Sequence, residues 1–195
     1  NGKNISLEIA SLISLNVLPG QVTPVYFQET LMLTCAIDWI NRAAGVLGKR
    51  AGLTGKENRP FTLEDFVNLT GSAFDWNKQA EIILPKGEIE FLTREYTQWP
   101  AESRSGLAMF LNTGIFNPGG SEIFPEKVLS RGEGAYLLWK VMSFHHDLFE
   151  EGRFRSFSEE KITVETGEKN EELILPKSAF LVRSHDKERT LVSRL

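Results

Sequence analysis

A chain of 195 residues with 41% apolar and 25% charged side chains has the size and balance of a globular domain, which excludes a fibrous or wholly disordered protein. A formal net charge of −4 excludes a protein that coats nucleic acid indiscriminately, although it allows a local basic patch. The single cysteine, Cys35, excludes an internal disulfide and a thiolate metal centre, and it favours a reducing, intracellular or cytoplasmic setting.

No apolar stretch is long enough for a membrane span, because residues 25–47 are interrupted by Gln28, Glu29, Asp38, Asn41 and Arg42. No signal peptide is expected either. The first residue is Asn1 rather than Met, so the chain is expected to be a fragment or processed part of a larger protein.

In chain order, residues 5–15 read as a short amphipathic helix closed by Pro19-Gly20. Thr23 is placed to cap a second helix with Pro24 at its first position, where proline costs no hydrogen bond. That helix is expected to run to Leu47. Met32, Cys35, Ala36, Trp39, Ile40, Ala43 and Leu47 recur on one side of it, and Asp38 can pair with Arg42 four residues on. Cys35 lies on the apolar side and reads as a packing residue. A Gly- and Lys-rich loop follows over residues 45–60. Thr62 then caps a short helix, with Asp65 at the capping-box position.

Residues 81–84 and 89–93 read as a central β-hairpin around Pro85-Lys86-Gly87. Helices are predicted over residues 102–111, 125–130 and 133–150. After Gly152 the pattern changes to short strands over residues 161–165, 172–175, 179–184 and 190–195, with turn residues between them. Helices first and strands later predict α+β architecture: a helical N-terminal body, the central hairpin and a C-terminal antiparallel meander, in a single domain over residues 1–195.

One repeat stands out. Glu81-Ile82-Ile83-Leu84-Pro85-Lys86 returns as Glu172-Leu173-Ile174-Leu175-Pro176-Lys177. The stretch from Ala80 to Ile89 resembles the swapped-hairpin DNA-binding segment of the AbrB/SpoVT family, which runs an apolar strand into a Pro-Lys turn. The resemblance covers about ten residues per copy. The aspartate-glycine-arginine lead-in is missing from both copies, and the second continues into a strand where the family has a short helix. The chain is not assigned to that family.

The chemistry-bearing residues form two groups. Residues 41–60 hold Arg42, Lys49, Arg50, Lys56 and Arg59 against one acid, Glu57, so this loop is the candidate site for an anion or nucleic acid. It is not a nucleotide loop. Arg50 falls where the first glycine should be, and Glu57 replaces the magnesium-binding hydroxyl. The second group is His146, Asp147, Glu150 and His185, the candidate set for a metal-dependent hydrolase or nuclease. His145 sits on the stripe of Leu138 and Met142 and reads as a half-buried core histidine. The alternation Arg153-Phe154-Arg155-Ser156-Phe157 reads as an edge strand rather than a stacking platform for single strands.

No nucleophile elbow, metal framework or cofactor loop is present in the sequence, and no cofactor or metal is expected. A non-enzymatic interaction or assembly domain is therefore favoured over an enzyme. Its basic loop would meet an anionic partner, and a protein partner or self-association would use other surfaces. A hydrolase built on the histidine group and a structural scaffold or virion component are the competing readings.

Overall fold

The computed structural model describes residues 6–20, 23–117, 123–145, 153–158, 161–166, 169–174, 180–185 and 188–194, the last two strands through their backbone alone. Among the described residues eight α-helices precede the strands: α1 Leu7–Ser14, α2 Pro24–Gln28, α3 Leu33–Val46, α4 Leu63–Ala73, α5 Trp76–Ile83, α6 Lys86–Thr93, α7 Arg104–Asn112 and α8 Arg131–Phe144. A 3-10 turn, Ala101–Ser103, leads into α7. Strands β1 Arg153–Ser158, β2 Lys161–Thr166 and β3 Lys169–Ile174 form one antiparallel sheet in that order. Strands β4 Phe180–His185 and β5 Glu188–Arg194 form a separate antiparallel pair. The architecture is α+β, with β1, β2 and β3 an antiparallel meander and β4 and β5 a second antiparallel sheet.

The caps follow the sequence. The Thr23 hydroxyl accepts from Tyr26 N ahead of Pro24. Thr62 and Asp65 close a full capping box on α4. Ser130 and Glu133 do the same for α8, a signal the pattern Ser130-Arg131-Gly132-Glu133 carries openly.

Two predicted helices are corrected. The one expected from Pro24 to Leu47 breaks at Glu29, and residues 125–130 are not helical. The reason is a junction of three extended segments. Thr30 bridges Ser130, Met32 bridges Pro60, and Thr62 bridges Val128. At its centre Leu31 N donates to Leu129 O, Leu129 N to Phe61 O, and Phe61 N to Leu31 O, each at 2.9 Å. This closed ring satisfies backbone groups that a continuous helix would have bonded internally. Leu31, Phe61 and Leu129 are all buried, and α3, α4 and α8 each begin within two residues of the ring.

The central hairpin is corrected as well. Residues 76–83 and 86–93 are the helices α5 and α6. Trp76, Ala80 and Leu84 recur every four residues and are all buried, which is a helix stripe and not a strand face. Trp76 packs on Phe110 of α7, with ring centroids 5.0 Å apart, and on Phe144 of α8 at 5.5 Å. α4 and α7 come close to α5 through glycine. A Cβ on Gly71 or Gly106 would lie 2.5 or 2.9 Å from Asn77 Oδ1.

The helix expected over residues 133–150 ends at Phe144, where His145 turns to extended backbone, and several local expectations hold. Asp38 pairs with Arg42 at 3.0 Å. Trp76 and Trp99 are core residues, and Trp99 Nε1 donates to Ile123 O at 2.9 Å. β1 is an outer strand of its sheet, as the alternation of arginine and phenylalanine implies. Its Arg155 is exposed and pairs with Glu165 of β2.

Candidate functional site: the basic loop and the α5–α6 face

The loop over residues 47–61 leaves α3 through Gly48 and Gly52, whose φ angles of 69° and 60° favour glycine. It does not hang free. Asn41 grips it from α3: its Nδ2 donates to Leu53 O at 2.9 Å and its Oδ1 accepts from Leu53 N at 3.0 Å.

Three of the five candidate cations are tied down. Arg42 pairs with Asp38. Lys49 Nζ donates to Phe74 O at 3.0 Å and reaches Asp75 Oδ2 at 3.4 Å. Arg59 forks onto Asp65, with Nη1 to Oδ2 at 2.6 Å and Nη2 to Oδ1 at 2.8 Å, and its Nε donates to Glu57 at 3.1 Å. Burial works to raise the Asp65 pKa, but the bonds from Arg59 and Thr62 outweigh it and hold the carboxyl below its usual value. Arg50 and Lys56 remain exposed with no partner among the described residues. The loop leads into a capped helix only at Leu63, so it has no phosphate-loop geometry.

Of the candidate metal group, His146, Asp147 and Glu150 lie outside the described residues. His185 is placed only by its backbone, as the last residue of β4. Among the described residues no cluster of His, Cys, Asp and Glu could hold a metal ion, and no helix is long and apolar enough to cross a membrane.

His145 is half-buried, as its stripe implies. Its ring lies 5.7 Å from that of Phe74 and 6.1 Å from that of Trp76. Its Nε2 is buried without a hydrogen-bond partner. Burial, and then the nearby Lys49 charge, lower its pKa below 6.5, so the ring is neutral at pH 7. Cys35 is hydrogen-bonded to Tyr26, and burial pushes its thiol up, away from the reactive thiolate.

A second surface was hidden by the hairpin reading. Ile82, Ile83 and Phe91 are 83%, 58% and 60% exposed on the adjacent helices α5 and α6. On the same two helices Lys78, Glu81, Lys86 and Glu88 stand exposed, as do Arg94 and Glu95 just after α6. The Arg94 guanidinium lies 4.5 Å over the Phe91 ring. Trp76, Ala80 and Leu84 recur every four residues, the period of a helix. That spacing was the signal available in the sequence.

No family model, curated protein or solved structure matches this chain.

Proposed function

We propose that this chain is a non-enzymatic assembly domain that self-associates through the α5–α6 face. The observation that carries this reading is the exposure of Ile82, Ile83 and Phe91 on neighbouring helices. Large apolar side chains left exposed on a surface favour burial against a partner. The partner is read as a second copy because the rim alternates sign. A two-fold contact sets each patch against itself, and interleaved acids and bases let Glu81 or Glu88 of one copy meet Lys86 or Arg94 of the other.

Sedimentation velocity from micromolar to hundred-micromolar protein tests it. Mass should rise with concentration in the native chain, and Ile82→Ser/Phe91→Ser should stay monomeric with an unchanged helix spectrum. A native chain that stays monomeric throughout, or a double variant that associates equally well, would overturn the reading.

A second reading keeps the loop as a contact for an anionic partner such as nucleic acid, met through its backbone phosphates. Arg50 and Lys56, exposed and without a partner among the described residues, favour it. Oligonucleotide anisotropy at two salt concentrations would show salt-sensitive binding that Arg50→Glu/Lys56→Glu removes. Absence of binding at low salt ends this second reading.

A further inference from the structure

α5, α6 and the start of α7 enclose a cleft of about 580 Å³. Leu84, Ile89 and Ala101 supply apolar lining. The charged lining comprises Lys86, Arg94 and Arg104 against Glu81 and Glu90. Both acids are exposed, whereas Arg104 is half-buried. Arg104 is held to the wall by long bonds, Nε to Trp99 O at 3.4 Å and Nη2 to Thr97 O at 3.5 Å. Its remaining N–H groups are uncommitted among the described residues. No ion pair joins a cleft cation to a cleft acid among those residues. Arg94 stacks over Phe91, and its one ion-pair contact among those residues is at 3.7 Å with its neighbour Glu95, outside the lining.

We propose that this cleft binds a small amphipathic organic anion, a carboxylate or phosphate monoester head on a short hydrocarbon body. The volume is that of small-molecule sites, which combine apolar walls with a few placed polar groups. Cations outnumber acids, and the most buried charge is a guanidinium. A charge removed from water interacts more strongly than an exposed one, so Arg104 outweighs Glu81 and Glu90. Its planar fork matches the two oxygens of a carboxylate or phosphate. Leu84, Ile89 and Ala101 then take the hydrocarbon. This inference does not rest on self-association: Ile82, Ile83 and Phe91 are not part of the lining, and because Glu81, Lys86 and Arg94 are shared with the proposed contact between copies, the test is run at a concentration where the chain is monomeric.

The test is an amide chemical-shift titration of the full chain with hexanoate, hexyl phosphate, hexan-1-ol and hexylammonium. Hexanoate or hexyl phosphate should shift the amides of residues 86–105 and bind about tenfold more tightly than the alcohol, the scale of one charge-assisted hydrogen bond. A preference for hexanoate assigns the head as carboxylate, and a preference for hexyl phosphate assigns it as phosphate. Arg104→Gln should abolish that preference. Lys86→Glu, at an exposed residue with no ion pair among the described residues of its own chain, should weaken both anions and serves if Arg104→Gln fails to fold. Equal binding of alcohol and anion, tighter binding of hexylammonium, shifts confined to residues 47–61, or unchanged affinity in Lys86→Glu would each overturn the proposal.

Discussion

Glu81, Ile82 and Ile83 close the helix α5, whereas their counterparts Glu172, Leu173 and Ile174 close the strand β3. The two stretches differ only by the exchange of Ile82 for Leu173, so the local sequence cannot be what separates them. Their neighbours separate them. Ahead of Glu81 stands Trp76, which with Ala80 and Leu84 forms a buried stripe of period four. Ahead of Glu172 stand Lys169, Asn170 and Glu171, which offer no such stripe and lie opposite Thr166, Glu165 and Val164 of β2. The helical copy is held by side chains in the core. The strand copy is held by a backbone ladder, and Ile174 remains 72% exposed. Short apolar segments are weakly committed, and tertiary contacts choose between helix and strand.

The comparison breaks most readily at Trp76. Trp76→Ala should cost about 3–5 kcal/mol, the range for emptying a buried aromatic site, and should loosen α5 before β3. Urea denaturation with hydrogen exchange resolved by residue would check both.

Acid should also act on the helical copy first. His145 lies against Trp76 and has a pKa depressed below 6.5 by burial. The folded state therefore holds its proton less tightly than the unfolded chain does. Stability is complete above pH of about 6.5 and falls as pH drops through that value toward the folded pKa. The urea midpoint should be lower at pH 5.5 than at pH 7.5, and His145→Phe should flatten that difference.

The strand copy has a weaker handle. Lys161 Nζ reaches Glu172 Oε2 at 3.2 Å between exposed side chains. Lys161→Ala should cost no more than about 1 kcal/mol and show less effect in high salt. The smallest change sharpens the comparison best. Ile82→Leu makes the two tetrapeptides at 81–84 and 172–175 identical. It should leave α5 helical and alter stability by no more than a few tenths of a kcal/mol, because leucine is if anything the better helix former. A strand-like circular dichroism signal in that variant would show that local sequence had decided after all.

What could be read from the sequence was local or periodic. The caps at Thr23 and Thr62, the Asp38–Arg42 pair and the passage from helices to strands are all set by residues close together in the chain. The break at Glu29 and the extended run before Ser130 depend on partners far away in sequence, and no spacing within either segment announces them. The α5–α6 face was missed for another reason. A strong short-range strand signal at 81–84 hid the period-four stripe that begins at Trp76. Of the basic loop, the composition was legible but the tethering was not, since Asn41, Phe74, Asp75 and Asp65 all lie outside its most glycine-rich part.

The ring of Leu31, Phe61 and Leu129 has a kinetic consequence. Helical proteins fold fast when their contacts are local, since little chain entropy is lost before contacts form. Here three helices start from one ring whose members come from distant parts of the chain, so long loops must close before any of its bonds can form. The helical body should therefore refold more slowly than its helix content suggests. Leu129, the last of the three to leave a ribosome, would be the residue whose arrival lets the other two lock.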